Sequence, residues 1–170
     1  MVERLAYAFG AIFAVIYQPS LQIGVPDKRY LLISPNGGVT WFESNHTGRV
    51  NDWYIIGATS GYIATEQGTF SLRFANGIIL DRMQFDGGAT GAVSQLLPVG
   101  PTGDTLFAQE AFVGLWLLDG EAGKFYRPTP DWSGVSYFNY LDFGINGHIA
   151  VGRGSTTYIT PFPLQFKETP

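Results

Sequence analysis

The sequence predicts an all-β chain made of repeated antiparallel four-stranded units, and three observations lead to that prediction. Apolar runs of about five to eight residues are separated by Gly, Pro, Asn and Asp, and the 170 residues include 22 Gly and 10 Pro. This spacing is typical of short strands joined by tight turns. No long window combines helix caps with apolar residues at i, i+3 and i+4. The grouping of the apolar runs also recurs along the chain, which indicates a repeat architecture.

The repeat begins with two apolar strands separated by a break at or near glycine. It occurs at Leu5–Tyr17, Trp53–Glu66, Thr105–Trp116 and Tyr140–Gly154. A third strand that opens with an aromatic residue follows each time, at Tyr30–Phe42, Phe70–Leu80, Phe125–Phe138 and Tyr158–Phe166. The first stretch also has the length of the apolar part of a signal peptide. Gly10 in its middle and its alternating aromatic residues favour a hairpin.

The repeats divide the chain, taken as a single domain over residues 1–170, into approximate units 4–50, 51–100, 101–138 and 139–170. Four antiparallel strands per unit, with a period a little over 40 residues, are typical of a β-propeller blade. We therefore expect a β-propeller-like fold of about four blades, with an irregular β-sandwich as the alternative. The first strand of each unit should lie nearest the axis and be covered on both faces. Leu97–Gly103, with two prolines, is interpreted as a loop.

The segment SPNGGVTW is the most specific motif in the chain. It resembles the S-x-D-x-G-x-T-W signature of Asp-box (BNR) repeats, with Asn in place of Asp, through Ser34, Asn36, Gly38, Thr40 and Trp41. The stretch Thr129–Phe138 resembles a degenerate second copy, through Asp131, Gly134 and Tyr137. The resemblance implies a β-propeller of the kind found in phage tail-associated and bacterial surface proteins. In that family the box lies on the turn of a blade, away from the catalytic centre.

The chemistry of the motif agrees with a structural role in a turn. Asn36 can accept backbone N–H bonds across its own turn. Gly37 and Gly38 permit the positive φ angles of a tight hairpin. Trp41 should pack as a large apolar plate against its blade and the next one, with an indole N–H that needs an acceptor.

Aromatic residues make up 15% of the chain and carry the second signal. Trp53, Tyr54, Trp132 and Tyr137 stand beside predicted turns. Such side chains pack the core of a blade, anchor a protein interface, or stack on sugars. The sequence leaves these three roles open.

Composition excludes several classes of site. The chain has no Cys, and His46 and His148 are about 100 residues apart, so we predict no metal site and no cofactor. A net charge of −4 with no basic cluster argues against a nucleic-acid partner. No apolar run reaches the length of a membrane span. Charged residues form only 14% of the chain, against about 25% in an average domain, which indicates a surface partly covered by partners.

We therefore expect a non-catalytic structural or interaction protein that belongs to a larger assembly. The resemblance implies that the chain is a component of a phage virion or tail, and otherwise that it is extracellular or on a cell surface. Its partners would be virion proteins or further copies of the chain. A carbohydrate-binding module for receptor recognition is the alternative, with glycans as ligands. A glycoside hydrolase is a distant third, because no pair of carboxylates is distinguished from ordinary turn residues.

Overall fold

The computed structural model describes residues 1–44, 48–85, 92–99, 105–110, 114–119, 123–126, 128–129, 140–144, 148–153, 156–161 and 165–166. These residues form strands, turns and bends, and none of them is helical. The strands assemble into open antiparallel sheets, two of which have four strands each in sequence order. The prediction of an all-β fold with antiparallel four-stranded sheets is confirmed.

Sheet 1 contains β1 (Val2–Ala8), β2 (Ala11–Gln18), β3 (Lys28–Ser34) and β4 (Phe42–Ser44), in that order. A two-residue turn joins β1 to β2, with φ of 52° at Phe9 and 80° at Gly10. Positive φ at both positions is typical of the hairpin turn whose twist matches that of the flanking strands. The break predicted at Gly10 is therefore a hairpin.

Sheet 2 repeats this order with β5 (Val50–Gly57), β6 (Ser60–Thr65), β7 (Gly68–Phe74) and β8 (Ile78–Arg82). Gly61 lies where β6 passes close to β5. A methyl group on Gly61 would approach the Tyr54 carbonyl oxygen to 2.7 Å, so the two strands can pack this tightly only with glycine there.

Sheet 3 has five strands, which are β9 (Gln84–Phe85), β10 (Val93–Val99), β11 (Thr105–Glu110), β12 (Gly114–Asp119) and β13 (Lys124–Tyr126). Their spatial order is β10-β11-β12-β13-β9, and β9 pairs with β13 in parallel. β9, which precedes the other four strands in the sequence, thus forms the edge of sheet 3 opposite to β10.

Sheet 3 opens with β10 at Val93, before the approximate start of the third unit at residue 101, and the division of the chain into units stays a prediction. Leu97–Gly103 was interpreted as a loop on the strength of its prolines, yet Pro98 lies within β10. An edge strand tolerates proline because one side of its backbone makes no ladder hydrogen bonds. The treatment of residues 1–170 as one domain stays a prediction.

The last part of the chain contributes β15 (Tyr140–Gly144), β16 (His148–Arg153) and β17 (Thr156–Pro161) to sheet 4. The short strands β14 (Pro128–Thr129) and β18 (Gln165–Phe166) pair with each other.

The first three sheets stack through apolar faces. The inner face of sheet 1, with Phe13, Val15, Leu31 and Ile33, forms one core cluster with residues of sheet 2. The opposite face of sheet 2, with Tyr54, Tyr62 and Ala64, packs against sheet 3. Sheet 2 is thus covered on both sides by neighbouring sheets.

Each of the first strands β1, β5 and β10 has an irregularity at its second residue. The pairing shifts between Val2 and Arg4, between Val50 and Asp52, and between Val93 and Gln95. The same kind of register shift thus recurs at one position in three successive sheets. Bulges bend the strand and re-aim the side chains that follow.

Candidate interaction surface

The turn between β3 and β4 is held by a closed set of hydrogen bonds. Asn36 Oδ1 accepts from the Thr40 backbone N–H at 2.9 Å and from the Ser34 hydroxyl at 3.1 Å. Asn36 Nδ2 donates to Thr40 Oγ1 at 3.0 Å. The Gly38 N–H donates to Ser34 Oγ at 2.7 Å, and Ser34 is completely buried.

Backbone geometry at the two glycines completes this turn. Gly37 has φ of 67° and Gly38 has φ of 101°, both in the region that side chains disfavour. Gly38 also lies over β2, since a methyl group placed on it would stand 3.6 Å from Ile12 Cδ1. The polar groups of the motif therefore satisfy one another and shape the chain.

Trp41 occupies a different place from the one expected. Its indole N–H donates to the Gly38 carbonyl at 3.1 Å, within its own turn, and 45% of the residue is exposed. The neighbouring sheet is contacted instead by Phe42, whose ring meets that of Phe74 edge-on at 4.7 Å. The difference follows from alternation, because Phe42 begins β4 on the side that faces sheet 2.

Trp53 and Tyr54 point to opposite sides of β5 and enter the two packing layers of sheet 2. Trp53 packs against the core cluster shared with sheet 1, and Tyr54 packs against the cluster shared with sheet 3. Both side chains are partly buried. The structure thus gives these two aromatic residues a packing role.

Four predicted site residues, Asp131, Trp132, Gly134 and Tyr137, lie outside the described residues, as does His46. For His148 the structure describes only its place in β16. Their roles stay predictions.

A polar connection between the first strands was missed by the sequence reasoning. Arg4 donates to the Asn51 carbonyl oxygen and lies 3.6 Å from Asp52 Oδ1. Asn51 Nδ2 donates to the Val93 carbonyl at 2.8 Å, and the Leu96 N–H donates to Asp52 Oδ2 at 2.9 Å. These bonds tie β1 to β5 and β5 to β10. The recurring Val followed by polar residues was the available signal.

Two pairs of side chains elsewhere in the described part of the chain involve ionisable groups. Tyr17 donates its hydroxyl hydrogen to Asp27 at 2.5 Å, which raises the pKa of Tyr17 and lowers that of Asp27. Glu110 is buried and accepts from the Trp116 indole at 2.8 Å. In the part of the chain that the structure describes, no group of three or more His, Asp or Glu side chains is arranged to hold a metal ion. In the same residues no helix is long and apolar enough to cross a membrane.

The side of sheet 1 that faces away from sheet 2 is the most distinctive surface of the described chain, and we call it the outer face. Pairing in register places Leu5, Ala14 and Leu32 in one row and Tyr7 beside Ile12 in the next. Leu5 is 67% exposed and Tyr7 is 73% exposed. The expectation that first strands are covered on both faces is wrong for β1, because Leu5 and Tyr7 on its outer face stay largely exposed in the described part of the chain.

Comparisons with known proteins give structural likeness alone. No family model and no curated protein sequence matches the chain. Among solved structures, the chain is similar to PorZ of Porphyromonas gingivalis, described as an essential bacterial surface component of the type-IX secretion system. That match has a TM-score of 0.58 and 12% identity, and it covers 92% of this chain and 24% of PorZ.

A second similar structure is HIRA(644–1017), with a TM-score of 0.52 and 11% identity over 94% of this chain and 49% of the other. The chain thus spans about a quarter of PorZ and about half of the HIRA fragment. At such low identity both likenesses concern the fold, and they agree with an all-β chain of stacked sheets.

Proposed function

We propose that this chain is a non-catalytic structural and interaction protein, a β-propeller-like component of a larger protein assembly. The observation that carries the proposal is the outer face, where Leu5 and Tyr7 of β1 stay exposed beside the partly buried Ile12 and Leu32. Contiguous apolar patches of this kind on soluble domains mark sites of protein association. The low charge content of the chain supports the same conclusion.

The turn at Asn36 supports a structural role. Its amide, the Ser34 hydroxyl and the Thr40 hydroxyl are all engaged in hydrogen bonds within the turn. A substrate would have to break these bonds to reach the same groups. The motif resembles an Asp-box repeat in sequence, and membership of that repeat family is part of the proposal.

The setting we propose is a phage virion or tail, or otherwise an extracellular or cell-surface assembly. It rests on the resemblance of the Ser34–Trp41 segment to repeats of tail-associated and bacterial surface propellers. PorZ, described as a bacterial surface component, is one example of a larger protein that contains a similar arrangement of sheets.

Fractionation tests this proposal directly. An antibody raised against the purified chain is used to probe virions, cell-surface fractions and the soluble fraction of the source culture, each normalised to total protein. We expect enrichment of at least tenfold in an assembled fraction. A chain found only as free protein in the soluble fraction would contradict the proposal.

Catalysis is tested separately, with fluorogenic glycosides that include a sialoside. We expect no turnover above that of a heat-denatured sample. Saturable hydrolysis that is lost on heating would refute the non-catalytic assignment. For glycan binding, Trp53 and Tyr54 are poorly placed, because both are partly buried and pack against core clusters.

A further inference from the structure

We propose that the outer face of sheet 1 is a self-association surface, on which a second copy of this chain packs its own outer face about a two-fold axis. The inference rests on the proposed function, because it names one partner of a chain that we place in an assembly.

The internal packing of the chain provides the first argument. Ile55 and Trp53, which pair with the second and fourth residues of β6, lie on the side of sheet 2 that packs against sheet 1. Tyr7 and Leu5 occupy the corresponding positions before the β1–β2 turn. The face of sheet 2 that carries Trp53 and Ile55 is buried against sheet 1. The equivalent face of sheet 1, which carries Leu5 and Tyr7, is exposed.

The chemistry of the outer face provides the second argument. Leu5 and Tyr7 project from it, and Phe9, which is 65% exposed, extends the apolar surface at the adjoining turn. Among the described residues, charged side chains stand only at its rim, with Glu43 at the end of the Leu32 row and Lys28 paired with Gln18. An apolar centre with both signs of charge at its edge suits packing against an identical surface.

The size of the surface provides the third argument. Apolar side chains of this kind each bury on the order of 100–250 Å², so the exposed parts of Val2, Leu5, Tyr7 and Phe9 and their half-buried neighbours present roughly 600 Å². A standard stable interface buries about 800 Å² per partner. The outer face with its polar rim therefore approaches the area that a stable dimer requires.

A second copy is the partner these observations favour. In a two-fold contact one patch serves both subunits, so a single apolar face is sufficient. Charges near the start of β1 are already paired, since Arg29 Nε lies 3.0 Å from Glu3 Oε2. Two copies can then approach without bringing unpaired like charges together.

The first test is the mass of the native chain, measured by sedimentation equilibrium and native mass spectrometry between about 1 and 100 µM. The outer-face variant is Leu5→Lys with Tyr7→Lys, which places like charges opposite one another across a two-fold contact. The matched control is Leu21→Lys with Ile23→Lys, which adds the same two charges at fully exposed positions between β2 and β3.

We expect a dimer for the wild type and the control, and a dissociation constant raised at least a hundredfold for the outer-face variant. Circular dichroism should stay unchanged in all three proteins, and their urea midpoints should agree when each is measured at a concentration at which it is monomeric. A monomeric wild type, an outer-face variant that dimerises as the wild type does, or an equal effect in the control would overturn the proposal.

A second measurement applies even where the lysine variant fails to fold. The chain has no cysteine, so Tyr7→Cys and Ile23→Cys each introduce a single thiol. We expect a short bis-maleimide to cross-link the Tyr7→Cys chain at least tenfold faster, and only into dimers. Equal rates at the two sites, or ladders of larger species, would refute a two-fold contact through the outer face.

The fractionation experiment separates the two proposals. A monomeric chain that is enriched in virions or surface fractions would refute self-association and leave the assembly role standing. A dimer that is absent from every assembled fraction would refute the assembly role and leave self-association standing.

Discussion

The turn at Asn36 allows the sharpest test of how local hydrogen bonds stabilise this fold, through the substitution Asn36→Ala. Alanine removes the acceptor for the Thr40 N–H and for the Ser34 hydroxyl. The Thr40 N–H is exposed and water can replace the lost bond, which costs about 1 kcal/mol, as for a lost capping residue. The Ser34 hydroxyl is buried, and an unsatisfied buried group costs about 1–3 kcal/mol.

Together these two losses predict that Asn36→Ala lowers the free energy of unfolding by about 2–4 kcal/mol. The matched control is Asn36→Asp, which keeps an acceptor oxygen in the same place and should cost under about 0.5 kcal/mol. Thr40 Oγ1 accepts from Asn36 Nδ2 in this structure and can rotate to donate to a carboxylate.

Urea unfolding followed by tryptophan fluorescence measures both variants. The midpoint should fall for Asn36→Ala with an unchanged slope, and the melting temperature should fall by about 2–4 °C per kcal/mol for a chain of this length. Equal losses in the two variants, or a loss below about 0.3 kcal/mol in Asn36→Ala, would show that the side-chain bonds do not stabilise the turn.

Three further predictions concern strand packing, the connection between sheets and pH. Gly61→Ala should lower the free energy of unfolding in urea by about 1–3 kcal/mol, because its methyl group meets the Tyr54 backbone. The control Gly77→Ala has open space around it and should lower the free energy by less than about 1 kcal/mol. Similar losses in the two variants would contradict the close approach of β6 to β5. Asp52→Ala should leave the Leu96 N–H without its acceptor and raise its hydrogen-exchange rate at least tenfold, and unchanged exchange would argue against the connection. Asp27 has a pKa below its ordinary 3.8, so its stabilising contribution is present above that pH and is lost as pH falls through the lowered value. Asp27→Asn should therefore lower the melting temperature at pH 6, and this difference should shrink as pH falls below 3.8; a difference that does not change with pH would refute this.

The hairpins were the part of the fold that the sequence could predict, because turn chemistry is local. Gly10 and the Asn36-Gly37-Gly38 turn announce their backbone angles through residue type alone. The short apolar runs of β2 and β3, bounded by turn residues, likewise indicate strands. These signals were sufficient for the all-β class and for the first two sheets.

The assignment of strands to sheet 3 could not be predicted in the same way. Pro98 carries a local signal for a break, and only the position of β10 at a sheet edge makes proline acceptable there. The parallel pairing of β9 with β13 joins segments distant in sequence, and no local pattern encodes it.

The candidate surface was hidden for a similar reason. Residue types show that Leu5 and Tyr7 are apolar, but whether a neighbour covers them depends on how sheets stack. The strand order places their row on the side away from sheet 2. The tie from Arg4 to Asn51 and Asp52 also depends on stacking, because the bulges bring these residues together only when successive sheets lie side by side.

The parallel strand β9 has a consequence for synthesis of the chain. Phe85 is buried between the rings of Phe125, stacked at 4.6 Å, and Trp116, edge-on at 5.1 Å. Its partner strand lies about 40 residues later, so at roughly 5–20 residues per second the ribosome delivers it about 2–8 seconds after β9. During that interval Phe85 has no place to pack. The far edge of sheet 3 can therefore form only once β13 has emerged from the ribosome.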